Sequence, residues 1–71
     1  MRQQQFRIYM MIPIEDLNIG VGAYNSLKVA GLHRVWQLED LAPSAWEKIA
    51  GTKRRREIFR ELAGLKKAMG V

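Results

Sequence analysis

Apolar and polar residues alternate over the first twelve positions, with Phe6, Ile8, Met10 and Ile12 on one side and Arg7, Tyr9 and Met11 on the other. A period of two predicts an extended segment with one buried face, here an arm over residues 1–12. One strand makes no sheet alone, so the arm either lies along the rest of the domain or pairs with a second copy. Pro13 restricts Ile12 to extended geometry and opens a short turn with Ile14 and Leu17 inward and Glu15 and Asp16 near its positive end. Beyond the Gly20–Gly22 break the period changes. Val21, Tyr24, Leu27 and the aliphatic stem of Lys28 recur at three and four, predicting a helix over 21–30. Gly31 suits the left-handed stop of that helix, and Leu32 its hydrophobic contact. A second helix over about 34–40 carries Val35, Trp36 and Leu38, with Leu41 following. A third begins at Pro43, places Trp46, Ile49 and Ala50 on one face, and ends at Gly51. Thr52 is the expected N-cap of a fourth helix, striped by Ile58, Phe59, Leu62, Leu65 and Met69 and closed by Gly70. The fold class expected is all-α: a compact bundle of four to five short helices over residues 13–71, preceded by the extended N-terminal arm.

Seventy-one residues allow one domain with a small core. An apolar fraction of 48% and a charged fraction of 27% are globular proportions. The absence of cysteine and the single histidine, His33, exclude a disulfide framework, a zinc site built on Cys or His, and a Cys/His nucleophile pair. No apolar run approaches the roughly 20 residues of a membrane span, and the start has no sustained apolar region of a signal peptide. A small basic domain of the cytoplasm, off the membrane, is the expectation. Catalysis is not expected, nor a cofactor or a metal. Glu15-Asp16 and Glu39-Asp40 are neighbours that a helix turns about 100° apart, so neither pair makes a shared acid–base or metal site. Gly20-x-Gly22 lacks the third glycine and the preceding strand of a dinucleotide loop.

Charge changes the picture most. Residues 51–71 hold seven basic residues against Glu57 and Glu61, which accounts for the whole formal net charge of +5. Within them, Gly51-Thr52-Lys53-Arg54-Arg55-Arg56 puts four cations at the positive end of a helix. Each such placement opposes the helix dipole and costs about 0.3–1 kcal/mol at low salt. A bound anion reverses the sign, because free backbone N–H groups, the dipole and the side chains then act together. The phosphate of a nucleic acid is the expected anion. The same run also reads as a solvated basic face offset by Glu57 and Glu61. A glycine-ended helix, a tight turn and a helix with cations at its start form a helix–hairpin–helix arrangement, which grips phosphate without reading bases. Val21-Gly22-Ala23-Tyr24-Asn25 is a second, looser grip of the same kind.

Pro13-Ile14-Glu15-Asp16-Leu17, followed by Val21, Tyr24-Asn25-Ser26-Leu27-Lys28 and Ala30-Gly31-Leu32, resembles the C-terminal domain of the bacterial RNA polymerase alpha subunit. The likeness covers about twenty residues without a gap and continues more weakly through Val35 and Leu38 to the basic last helix. It implies four short helices after an extended segment, binding to the minor groove of A·T-rich promoter DNA, and contacts with transcription activators and the sigma subunit. Asn25 falls on the family's DNA-facing asparagine, Ser26 on a usual cysteine and Lys28 on a usual lysine. Gly51 through Glu57 meets the family's second contact loop; setting Gly51 on that loop's glycine puts Ile58 and Leu62 on buried positions. Gly22 stands where the family has the arginine that enters the minor groove. A narrow A·T groove draws arginine through its negative potential, so the change implies less groove reading and more phosphate contact. Trp36 replaces a small glycine of the family, and Arg54, Arg55 and Arg56 add charge that it lacks.

The function expected is therefore a stand-alone DNA-binding module with a role in transcription. Asn25, Ser26, Lys28, Gly51, Thr52, Lys53, Arg54, Arg55 and Arg56 would contact duplex DNA, chiefly its phosphates. The alternative is a protein-interaction module that docks on RNA polymerase subunits or transcription regulators without touching DNA. Trp36 and Trp46 read either as its anchors or as core. A monomer and an arm-paired dimer are both open.

Overall fold

The computed structural model describes residues 2–71, apart from the side chain of Arg2. Its helices are α1 (Arg2–Met11), α2 (Val21–Val29), α3 (Val35–Glu39), α4 (Pro43–Ile49) and α5 (Thr52–Met69), with a 3-10 turn at Ile14–Asp16. The all-α bundle is as the pattern requires, and α5 is its longest member. Ile58 and Leu62 of the α5 stripe are buried, Leu65 and Met69 partly so, and Ile14 and Leu17 point inward from the turn. Trp46 is core, whereas Trp36 is 44% exposed.

The arm is a helix, not a strand. Alternation over seven residues competes here with Arg2-Gln3-Gln4-Gln5, a run of good helix formers that carries no alternation at all. The buried face is correspondingly different. Tyr9, on the expected outer side, is 1% exposed, while Phe6, Ile8 and Met11 face solvent. Pro13 leads into the 3-10 turn as expected, holding φ −66° and ψ 146°, and here it also follows the end of a helix. With residues 2–11 helical, the strand needed for arm-to-arm pairing of two copies is missing; Met1 lies outside the described residues. α1 packs on α3 and α5, and Tyr9 joins the same core as Leu27, Val35 and Ile58.

A three-residue clasp fixes α1. The Tyr9 hydroxyl donates to the Glu39 carboxylate of α3, and Lys66 of α5 pairs with that carboxylate at 3.1 Å while sitting 5.9 Å from the centre of the Tyr9 ring. Burial pushes the Tyr9 phenol above its ordinary range, and the adjacent carboxylate adds to this. Burial alone would raise the Glu39 carboxyl, but the Tyr9 hydroxyl and the Lys66 ammonium outweigh it and hold the group below the usual carboxylate range.

Backbone bonds set the spacing of α2 and α3. The Ile14 N–H donates to the His33 carbonyl at 3.0 Å and the Val35 N–H to the Ile12 carbonyl at 2.9 Å, so the chain before the turn is stitched to the start of α3. Gln37 Oε1 accepts from the N–H groups of His33 and Arg34 at 2.6 and 3.0 Å, satisfying two donors at that helix end. At the end of α2, Gly31 takes φ +79°; its N–H reaches the Lys28 carbonyl and the Leu32 N–H the Leu27 carbonyl, at 2.9 and 3.0 Å. That is the glycine stop expected from the sequence, with Leu32 buried beneath it. The α2 stripe differs at its first position, where Val21 is 75% exposed and Ala23 takes the inward place. Gly51 rather than Thr52 caps α5: its backbone is extended and its carbonyl accepts from the Arg55 N–H at 2.9 Å, which leaves Thr52 as the first helical residue.

Candidate nucleic-acid interface

The cations that open α5 do not act as one cluster, because a helix turns successive residues by about 100°. Lys53 and Arg56 share a face with Arg60 one turn further on, lining a depression of about 690 Å³ together with Thr52 and Glu57. Arg55 donates to Thr52 Oγ1 at 3.1 Å and borders the α4 side. Arg54 crosses to α2. Its Nη1 donates to Ser26 Oγ at 3.1 Å, and Ser26 Oγ in turn donates to the Gly22 carbonyl at 3.0 Å.

Gly22 is what lets Arg54 lie there. A Cβ at position 22 would stand 2.9 Å from Arg54 Nη2 and 3.0 Å from Nε, closer than carbon and nitrogen can pack. The guanidinium therefore rests on the bare backbone of α2 and, with Asn25, Ser26, Val29 and Ile49, lines a shallow hollow of about 310 Å³. Asn25, Ser26 and Arg54 are thus brought together, although 28 positions separate Ser26 from Arg54. Gly51, Thr52, Lys53 and Arg56 are all exposed, with the last three on the separate face that Arg60 shares.

Lys28 does not join them. It pairs with Glu15 at 3.1 Å, lies 3.3 Å from His33 Nδ1 and sits 6.0 Å from the centre of the Tyr24 ring. Glu15 is held below the usual carboxylate range, first by its own backbone N–H and then by Lys28.

Glu57 and Glu61 have partners other than the α5 cations. The Gly20 N–H donates to Glu57 and the Asn18 N–H donates to Glu61 at 2.7 Å, so two acids of α5 hold the loop that leads into α2. A carboxylate thus already sits at the positive end of α2, where the sequence suggested a second, looser phosphate grip. The amino end of α5 has no side-chain cap, and its first N–H groups have no partner within the helix. The two ion pairs among the described residues use Lys28 and Lys66, which leaves Lys53, Arg54, Arg56 and Arg60 without a carboxylate partner. Arg60 is the residue that the sequence reading missed; its spacing of four from Arg56 and seven from Lys53 was the available signal.

Among the described residues no group of acids and histidine is arranged to hold a metal ion, and no helix is long and apolar enough to cross a membrane. Compared with protein-family models, curated proteins and solved structures, the chain finds no match.

Proposed function

We propose that this chain is a cytoplasmic DNA-binding module, related to the C-terminal domain of the RNA polymerase alpha subunit, that contacts duplex DNA mainly through phosphates in a transcription-related role. The observation that carries this reading is the placement of Arg54 across Gly22, next to Asn25 and Ser26 and continuous with the uncapped start of α5. In the family that the sequence resembles, the position of Gly22 carries an arginine. Here a guanidinium reaches the same patch of α2 from the other helix. Lys53, Arg56 and Arg60 extend the positive surface along α5. The free amides at the start of α5 and the unpaired cations around it favour a polyanion without requiring base contacts.

The test is a titration into labelled A·T-rich and matched G·C-rich duplexes at 50 and 200 mM salt. Four to six phosphate contacts give a log–log salt slope of about −4 to −5, at about 0.9 per phosphate. Lys53→Gln, Arg56→Gln and Arg60→Gln together should flatten that slope by roughly 2–3. No binding at 50 mM would overturn the proposal. A second reading, docking on transcription machinery or its regulators without DNA, is favoured by the exposed aromatic Phe59 and the apolar hollows beside it.

A further inference from the structure

An apolar groove runs between α4 and the middle of α5, on a different side of α5 from Arg54. Its wall is Trp46, which meets Phe59 edge-on with ring centroids 4.9 Å apart and planes at 79°. Phe59 nevertheless remains 45% exposed, on a helix whose other solvent-facing positions are mostly charged. It stands as a ridge between two hollows. One, of about 480 Å³, is floored by Leu41 and Pro43 and edged by Arg55 and Arg56. The other, of about 270 Å³, shares Leu41, Trp46 and Phe59 and ends at Lys66. Each is large enough for one bulky apolar side chain. Hollows beside an exposed aromatic, with a charged rim, have the anatomy of a peptide-docking surface.

We infer that this groove docks an acidic peptide segment, which seats one large apolar side chain on each side of Phe59 and sets its carboxylates against Arg55 and Arg56. Charge selects this occupant. At one end of the groove Arg55 and Arg56 have no carboxylate partner and only Glu47 opposes them, while at the other end Glu39 and Lys66 neutralise each other. A second copy of the chain would bring a net charge of +5 against +5. Side chains three or four apart on a helical peptide have the spacing to straddle one ring. The inference does not rest on DNA binding.

The experiment selects a displayed library of random 12-residue peptides on the immobilised 71-residue chain and measures the enriched sequences as synthetic peptides by fluorescence anisotropy. Enriched peptides should be acidic, with two large apolar residues three or four positions apart. Affinity should fall about tenfold or more with Phe59→Ser, the loss typical of an interface anchor. A similar fall should follow replacement of the peptide's acids by their amides. Phe59→Ser should leave duplex binding unchanged. Amide shift changes in the unaltered chain should centre on Phe59 and Trp46, a readout that does not depend on the variant's folding. Enrichment of neutral or basic peptides, no enrichment, or shift changes elsewhere would overturn the inference. So would sedimentation showing self-association that Phe59→Ser abolishes, which would assign the groove to a second copy.

Discussion

Gly22→Ala isolates the contact on which the proposed interface depends. The added methyl would stand 2.9 Å from Arg54 Nη2, and the atoms it meets are the far end of a long, exposed side chain, so the guanidinium swings away and the backbone stays. The structure then loses the 3.1 Å bond from Arg54 to Ser26. For an exposed pair that loss is worth about 0.5–1 kcal/mol. Against it, alanine in place of glycine inside a helix gains about 0.5–1 kcal/mol. The two nearly cancel, so thermal denaturation should show a melting temperature within about 4 °C of the unaltered chain. Duplex binding should not cancel. Freed from α2, Arg54 no longer stands beside Asn25, and the salt slope should lose about one phosphate's worth, roughly 0.9. A double-mutant cycle makes the attribution: in an Arg54→Gln background, Gly22→Ala should have no further effect on binding. An equal effect of Gly22→Ala with and without Arg54 would refute the reasoning, as would a fall in melting temperature beyond about 8 °C.

Two further predictions concern stability. Gly31→Ala forces a Cβ into left-handed geometry at φ +79° and should cost about 1–2 kcal/mol, whereas Gly64→Ala, inside α5 with open space around it, should stabilise by about 0.5–1 kcal/mol; urea denaturation of both variants checks the contrast. The clasp on α1 predicts a pH profile. Glu39 is held below its ordinary value, so its contribution is complete above about pH 4.3 and fades as pH falls through the lowered value. Tyr9 is raised, so its contribution is complete below about pH 10 and fades as pH rises beyond that. Tyr9→Phe should cost about 1–2 kcal/mol near neutrality and remove the alkaline loss, as read by melting temperature across pH; an unchanged alkaline limb would exclude the clasp.

What could be read from the chain alone divides along a physical line. The α5 stripe, the Gly31 stop, the turn after Pro13 and the start of a helix at Pro43 were legible because period, φ and a missing N–H act on neighbours in sequence. α1 was not, since the alternation over residues 6–12 favours a strand while Arg2 to Gln5 favour a helix, and Tyr9 is buried among residues of α3 and α5 that lie far along the chain. The candidate site shows the same split. The run Lys53 to Arg56 announced its charge, but not that the helix would send Arg54 to one neighbour and Arg55 towards another. Gly22 seemed an absence; only the crossing of α2 and α5 turns it into a seat for Arg54. Lys28, grouped with the interface by resemblance, is drawn off by Glu15.

Glu57 and Glu61 set a ceiling on how basic this surface can become. They are the only acids in the last helix, and each holds a backbone N–H of the loop before α2. Exchanging either for lysine or arginine would add two units of positive charge where a polyanion is expected, yet it would release the loop that fixes Asn25 and Ser26 relative to Arg54. Variants selected for tighter binding should therefore keep both acids and gain cations at exposed sites with no such tether, such as Thr52 or Ala63.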